Sequence, residues 1–192
     1  ATAEAAETVA GLPLHIQKPA PNAVRVWVGD LISSTATVAI ATEKGIVVVD
    51  TLGIPAVDAD LRKVIARELG RKDFKVLINT HEHGDHTGGN AVYADCAIVG
   101  HELAGPGMAA EYGDRQQGLE WNENYYAGLK ADLIKEPPDS PAAKRLREEM
   151  ILNRLNHAVY LAGAAPVPPT LTFNDRMTLV MGDTTFELYY IG

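Results

Sequence analysis

The chain has 192 residues, of which 46% are hydrophobic and 22% charged, a balance that suits one globular domain with a sizeable core. Its formal net charge of −8 gives no support for nucleic-acid or anionic-membrane binding, since both need a basic face. No run of about eighteen apolar residues occurs, so no membrane-spanning helix is expected, and the single Cys96 excludes an intrachain disulfide.

The first stretch, Ala1 to Pro21, is rich in Ala, Glu and Pro and is assigned no strand or helix. It lacks a charged n-region and an apolar h-region and starts with Ala, which fits a mature end after signal removal or an arbitrary boundary; the lean is towards a periplasmic or secreted location. Val24 to Val28 alternates as a strand, Gly29-Asp30 turns, and Ser34 to Thr42 gives a second strand. Glu43-Lys44-Gly45 closes a hairpin onto Ile46 to Asp50, which is apolar throughout and so covered on both faces. Pro55 then opens a helix with Val57, Leu61, Val64, Ile65 and Leu69 on one face, and Gly70 ends it.

Val76-Leu-Ile is a buried strand that breaks at Asn79 or Thr80 into His81-Glu-His83-Gly-Asp85-His86, three histidines and an aspartate within six residues. On an extended segment alternate side chains point the same way, so His81 and His83 converge while Glu82 faces away. Gly84 allows a sharp turn that brings up Asp85 and His86. Imidazoles with one carboxylate suit zinc, with iron or manganese as the other metals such a donor set takes, and suit calcium or magnesium poorly. Thr87 to Tyr93 is expected to begin a helix beside this cluster.

The pattern His81-x-His83-x-Asp85-His86, after an apolar strand and before Thr87-Gly88-Gly89-Asn90, resembles the metal motif of the metallo-β-lactamase superfamily. The resemblance implies an α/β fold, the αββα sandwich, and a dinuclear hydrolase site holding two zinc ions. His81 and His83 would bind the first metal, Asp85 and His86 the second, and Asp85 would also be catalytic by orienting the attacking hydroxide. Asp50-Thr-Leu-Gly53 resembles the strand end that lies near this loop, which implies that Asp50 orients the ligands by hydrogen bonds, besides initiating a turn. His83 stands where flavodiiron-type relatives carry Glu, so hydrolysis is implied over redox chemistry.

Cys96 lies in the next strand pattern, Asp95 to Gly100, and reads as buried and inert. His101 after it reads as a hydrogen-bonded structural residue, and His15 and His157 receive no role. Residues 101–170 form a helical insertion: Glu102 to Lys130 is one interrupted helix or two, and Ser140-Pro141 starts another that runs to Gly163. In that helix Ile151, Leu155, Ala158, Val159 and Ala162 make the expected apolar stripe, with Asn153 and Asn156 outside it. The resemblance makes the insertion a cover over the metal cleft, where Trp121 and Tyr125 are either packing or recognition residues. Residues 164–170 are a linker, and Met177 to Met181 and Thr184 to Ile191 are strands around a turn.

By the resemblance, the remaining ligands, a third histidine, a bridging aspartate and a last histidine, belong to later segments. Residues 1–192 therefore read as the N-terminal portion of one domain, a sheet with its helices whose partner sheet is missing. The expected function is metal-dependent hydrolysis of an amide, ester or thioester, β-lactam-like or related, by a metal-bound hydroxide; the alternative is a non-catalytic metal-binding or assembly module. A small-molecule substrate is expected, with self-association or pairing with a C-terminal fragment. Negligible hydrolysis is expected from the 192 residues alone.

Overall fold

The computed structural model describes residues 7–30 and 35–192. Ala1 to Ala6 of the first stretch, and Ser34 at the expected start of the second strand, lie outside the described residues. Among the described residues eight strands form one sheet in chain order: β1 (Thr8–Val9), β2 (Leu12–Ala20), β3 (Ala23–Val28), β4 (Thr37–Thr42), β5 (Gly45–Val49), β6 (Phe74–Ile78), β7 (Ala97–His101) and β8 (Leu171–Phe173). β1 to β5 pair antiparallel and β5 to β8 parallel. The switch follows from the connections, because tight turns can join only antiparallel neighbours and parallel ones need long crossovers. Gly45 makes the last tight turn at φ 124°, where an added Cβ would lie 2.7 Å from the Asp73 carbonyl oxygen.

The N-terminal stretch, to which no element was assigned, thus holds β1 and β2. Leu12 is fully buried, and β2 pairs with β3 along most of its length. The alternation of Leu12, Leu14 and Ile16 carried that signal, and Pro13 and Pro19 masked it. Both prolines are tolerated locally: β1, the neighbour opposite Pro13, is two residues long, and Pro19 falls in the register break between Gln17 and Ala20. β8 was likewise unread, hidden in the linker's continuation.

Helix α1 (Pro55–Leu69) carries the chain from β5 to β6 and buries Val57, Leu61, Val64 and Ile65 against Val24, Val26, Ile46, Val48 and Leu77. Each such side chain contributes about 1.5–3 kcal/mol of burial. Gly70 ends the helix in the left-handed conformation, φ 65°. On the opposite face Val47, Val76, Ile78 and Val99 meet Met177, Leu179, Met181, Phe186 and Leu188 of a separate antiparallel hairpin, β9 (Arg176–Met181) and β10 (Thr184–Tyr189). Two strands of a second sheet are thus present, where the expectation was of none. The alternation in β9 and β10 was visible, but it does not say that the hairpin leaves the first sheet and folds back onto it.

Between β7 and β8 lie α3 (Ala104–Tyr112), α4 (Arg115–Leu133) and α5 (Pro141–Leu161). Two helices follow Glu102 rather than one, because Asp114 caps the second by accepting from the Gln117 N–H at 2.8 Å. Ser140 caps α5 in the same way, through the Ala143 N–H at 3.0 Å. The stripe expected on α5 is overturned: Ile151 and Ala158 are exposed, whereas Glu148 and Asn153 are buried. No helix among the described residues is long and apolar enough to cross a membrane.

The loop from β5 to α1 is held by a buried carboxylate, Asp58, which accepts from the Leu52 N–H at 2.7 Å and the Ile54 N–H at 3.1 Å. Burial pushes its pKa up to about 7 despite those two donors. Because this lies above the unfolded carboxylate value of about 4, the folded chain keeps a proton the unfolded chain loses. Its stabilising effect is therefore complete below about pH 4 and disappears as pH rises through about 7. Asp58→Asn turns an amide towards one of the two donors and should cost about 1–3 kcal/mol. Urea unfolding from pH 5 to 8 should show the gap between parent and variant narrowing as pH rises; a widening gap would contradict the assignment.

Candidate metal centre

The chain leaves β6 at the C-terminal end of the parallel strands, where the Asn79 N–H donates to the Val99 carbonyl. Buried Asn79 and Asn90 exchange amide hydrogen bonds of 2.9 and 3.0 Å, which clamps both ends of the intervening loop. Residues 80–82 are bent rather than extended, yet the ring centroids of His81 and His83 are 4.8 Å apart and those of His81 and His86 4.1 Å. Glu82 turns away onto helix α3, where a Cβ on Gly107 would come within 2.5 Å of its Cγ. The expected helix from Thr87 to Tyr93 is replaced by one turn, α2 (Gly84–Thr87), and a 3₁₀ turn at Asn90–Tyr93. So His86 sits inside a helical turn, and Thr87 ends it.

Asp50 organises these rings. It is buried, with φ 56°, a left-handed conformation that Asp tolerates better than most residues. Its Oδ1 accepts from the Thr80 N–H at 2.8 Å, and its Oδ2 accepts from the Thr80 hydroxyl at 2.6 Å and from His86 Nδ1 at 2.9 Å. A carboxylate only accepts, so His86 carries its hydrogen on Nδ1. The Thr80 hydroxyl has one proton and gives it to Asp50. Towards His81 Nδ1, 2.9 Å away, it must therefore accept, which puts the His81 hydrogen on Nδ1 as well. Both neutral rings keep an unprotonated Nε2, the form in which imidazole binds metal. The Asp50 hydrogen bond also raises the His86 pKa, outweighing the effect of partial burial.

Backbone contacts fix the loop to the same strand end. The Thr51 N–H and hydroxyl both donate to the His86 carbonyl at 3.0 Å, and the Gly89 N–H donates to Thr51 Oγ1 at 3.1 Å. A Cβ on Gly53 would lie 2.4 Å from the Gly84 carbonyl oxygen, and one on Gly88 2.4 Å from that of Gly53, so these backbones touch because neither bears a side chain. From α3, the Glu111 carboxylate accepts from the Gly84 N–H at 3.0 Å.

Asp85 is exposed, takes a 2.9 Å hydrogen bond from the Thr35 hydroxyl, and lies 3.6 Å from His86 Nε2. Among the described residues, no three His, Cys, Asp or Glu side chains already converge as a metal cage. The donor set nonetheless fits a borderline cation: His81, His83, Asp85 and His86 share one loop, and two of the rings have a fixed, metal-competent tautomer. The other histidines are occupied elsewhere. His101 accepts from the Leu103 N–H and donates to the Asn174 carbonyl, His15 stacks on Trp27 and meets Asp30, and His157 meets Glu123. Burial raises the Cys96 thiol pKa to about 11, in keeping with an inert residue.

A cavity of about 590 Å³ opens beside the loop, between Gly84-Asp85, the start of α1, and helices α3 to α5. Of the four expected ligands only Asp85 borders it; His83 faces a second, more open depression with Glu82 and Asp85. Trp121 and Tyr125 line the larger cavity, as do Asn122, Asn153 and Asn156, which sequence reasoning left out. The available signal was polar: amides recur at helical spacing on α5 where an apolar stripe was sought.

The family model of the metallo-beta-lactamase superfamily matches residues 29–189, and the chain belongs to that superfamily. Among solved structures it is similar to a metallo-beta-lactamase from Pontibacter korlensis, with 17% identity, a TM-score of 0.54, and 92% of this chain and 60% of that one covered. That likeness concerns the fold. Two curated relatives come from Nocardioides sp. (strain JS1661). 2,4-Dinitroanisole O-demethylase subunit alpha is 35% identical over 82 residues, 42% of this chain and 25% of its own. Subunit beta is 32% identical over 90 residues, 46% and 27% respectively. The chain thus matches about a quarter of the length of these relatives.

Asp50→Asn places an amide N–H₂ against at least one of the donors now facing Asp50. The His86 pKa, raised in the parent, should fall towards the ordinary value of about 6.5 in this variant. NMR titration of the histidine ring protons checks it, and an unchanged His86 pKa would show that Asp50 does not control the ring.

Proposed function

We propose that the chain carries the first metal-binding loop of a metal-dependent hydrolase of small molecules, with His81, His83, Asp85 and His86 as ligands of zinc. The observation that carries this reading is the Thr80–Asp50–His86 network, which leaves Nε2 of two neighbouring imidazoles free to bind a cation. A structural role alone would not need two rings held in the same tautomer. Zinc, when bound, supplies Lewis acidity that makes water a nucleophile near neutral pH and polarises the substrate's electrophilic centre. The protein's own share is orientation. Asp50 sets the rings, Thr35 holds one oxygen of Asp85 at the cavity edge, and Asp85 accepts the proton or hydrogen bond of the attacking water.

Amides, esters and thioesters are the acyl substrates of this reading, and a second metal bound by Asp85 and His86 completes it. The names of the two Nocardioides relatives add an aromatic methyl ether to the compounds worth assaying. Those names also designate subunits, which supports pairing of this chain with a second copy or another polypeptide. Val180 and Tyr189, 54% and 61% exposed on the outer face of the hairpin, are available to such a partner.

The rival reading, a metal-binding or assembly module without turnover, makes a different prediction. In the complete gene product His81→Ala or His83→Ala should remove most bound zinc and most hydrolysis, while Glu82→Gln, altered on the side turned to α3, should change both less than about threefold. Zinc content by elemental analysis and turnover of an ester, thioester and amide panel decide it. Full zinc and activity in the His81/His83 double variant would sink the ligand assignment; stoichiometric zinc with no turnover of any compound would favour the module.

A further inference from the structure

Asp85 sits in a helical turn too short to hold itself. Within α2 the His86 and Thr87 N–H groups donate to the His83 carbonyl at 2.9 and 3.0 Å, and the Gly88 N–H donates to the Gly84 carbonyl at 2.8 Å. A single turn fixes many dihedrals for few hydrogen bonds, so outside contacts decide its conformation. Thr51 grips its C-terminal half through the His86 carbonyl. At the N-terminal end the Gly84 N–H has no acceptor inside the turn. It is taken by a side chain 27 residues further on, the Glu111 carboxylate, at 3.0 Å.

Helix α3 is shaped for that contact. A Cβ on Gly84 would lie 2.9 Å from both Glu111 Oε1 and the Tyr112 hydroxyl oxygen, and one on Gly88, at the other end of the turn, would lie 2.7 Å from the same hydroxyl. One helical turn earlier Gly107 leaves room for the Glu82 side chain, although a glycine inside a helix weakens it. Tyr112 also stacks on Tyr160 of α5, with ring centroids 5.9 Å apart and planes 17° apart, so the end of α3 is braced from both sides. Glu111 lies on the wall of the depression that His83 and Asp85 border.

We propose that Glu111 is a positioning residue for the metal loop: its carboxylate fixes the peptide between His83 and Gly84 and so sets how Asp85 is presented to a cation. This role requires Asp85 to be a metal ligand, as the hydrolase reading has it. Glu111 holds the backbone just before Asp85, while Thr35 holds the Asp85 Oδ2 that lies 3.6 Å from His86 Nε2. Glu111 acts through this hydrogen bond and is not itself a ligand. The helices between β7 and β8 thereby reach the metal loop itself, and not only the cavity beside it.

Zinc affinity of the complete gene product, read by competition with a chromogenic chelator, tests this at about 0.3 M salt, where exposed charges are screened. Glu111→Ala removes the acceptor and should weaken zinc binding about tenfold, the worth of one charge-assisted hydrogen bond. Glu111→Gln keeps an oxygen that can accept from the Gly84 N–H and should stay within about threefold of the parent. Beside Asp85→Ala, the further loss from Glu111→Ala should be under about twofold, because the residue it acts through is gone. Glu111 is exposed, so metal-free Glu111→Ala should melt within about 2 °C of the parent. Equal losses in Gln and Ala would make Glu111 a ligand or a bare charge, and an undiminished loss beside Asp85→Ala would place its action elsewhere. A loss that tracks a lower melting temperature would make it a folding residue. Each of these overturns the proposal, as does a harmless Glu111→Ala. Unchanged zinc affinity in Asp85→Ala alone would instead defeat the ligand reading, and this role with it.

Discussion

One buried carboxylate at the end of a central strand sets the chemistry of the neighbouring loop. Asp50 is held in place because β5 pairs with β6: its own N–H donates to the Ile78 carbonyl at 2.9 Å, and its side chain then reaches across to Thr80 and His86. The two strands that define its position also define the start of the histidine loop, so any register error would separate the carboxylate from the rings it orients. Three donors meet its two oxygens, which repays the cost of burying it. The left-handed φ is the local strain that this arrangement sustains.

Around that link the fold is built in layers of unequal completeness. The face under α1 is closed by side chains that are almost wholly buried, whereas on the other face the residues of β9 and β10 that meet the sheet are only partly covered, apart from Met181. The glycines at 53 and 88 let backbone lie against backbone between the start of α1 and α2, and Gly84 leaves room for Glu111 and Tyr112 of α3. α3 holds the loop from above through Glu111, and α4 and α5 supply the cavity's polar and aromatic walls. Membership of the metallo-beta-lactamase superfamily and an α/β architecture thus describe the scaffold, and α3 to α5 wall the cavity beside the histidine loop.

Much of this was legible in the residues, and the misses share a cause. Helix α1, from Pro55 to the cap at Gly70, and the hairpin at Gly45 were readable because local chemistry decides them: a proline at the first turn, a glycine at positive φ, an apolar face at helical spacing. The cluster from His81 to His86 was readable because such donors seldom gather without a ligand, and the position of Asp50 was readable from the motif it resembles. β2 was missed because two prolines obscured an alternating pattern that tertiary pairing rescues. The inner face of α5 was misassigned because burial there serves an amide network rather than a hydrophobic stripe, so a search for apolar periodicity turned the helix the wrong way. Cavity-lining residues come from distant segments, and spacing along the chain carries no information about such convergence.

The central claim is that Asp50 holds His81 and His86 in the tautomer that leaves Nε2 free for a metal. Long-range proton–nitrogen NMR of the metal-free chain at about pH 8, where unperturbed imidazole is neutral, reads the tautomer of each ring directly. The account predicts Nδ1–H with an unprotonated Nε2 for both, and movement of those two Nε2 resonances on addition of zinc. Nε2–H in either ring, or zinc that leaves both Nε2 signals unmoved, would contradict it.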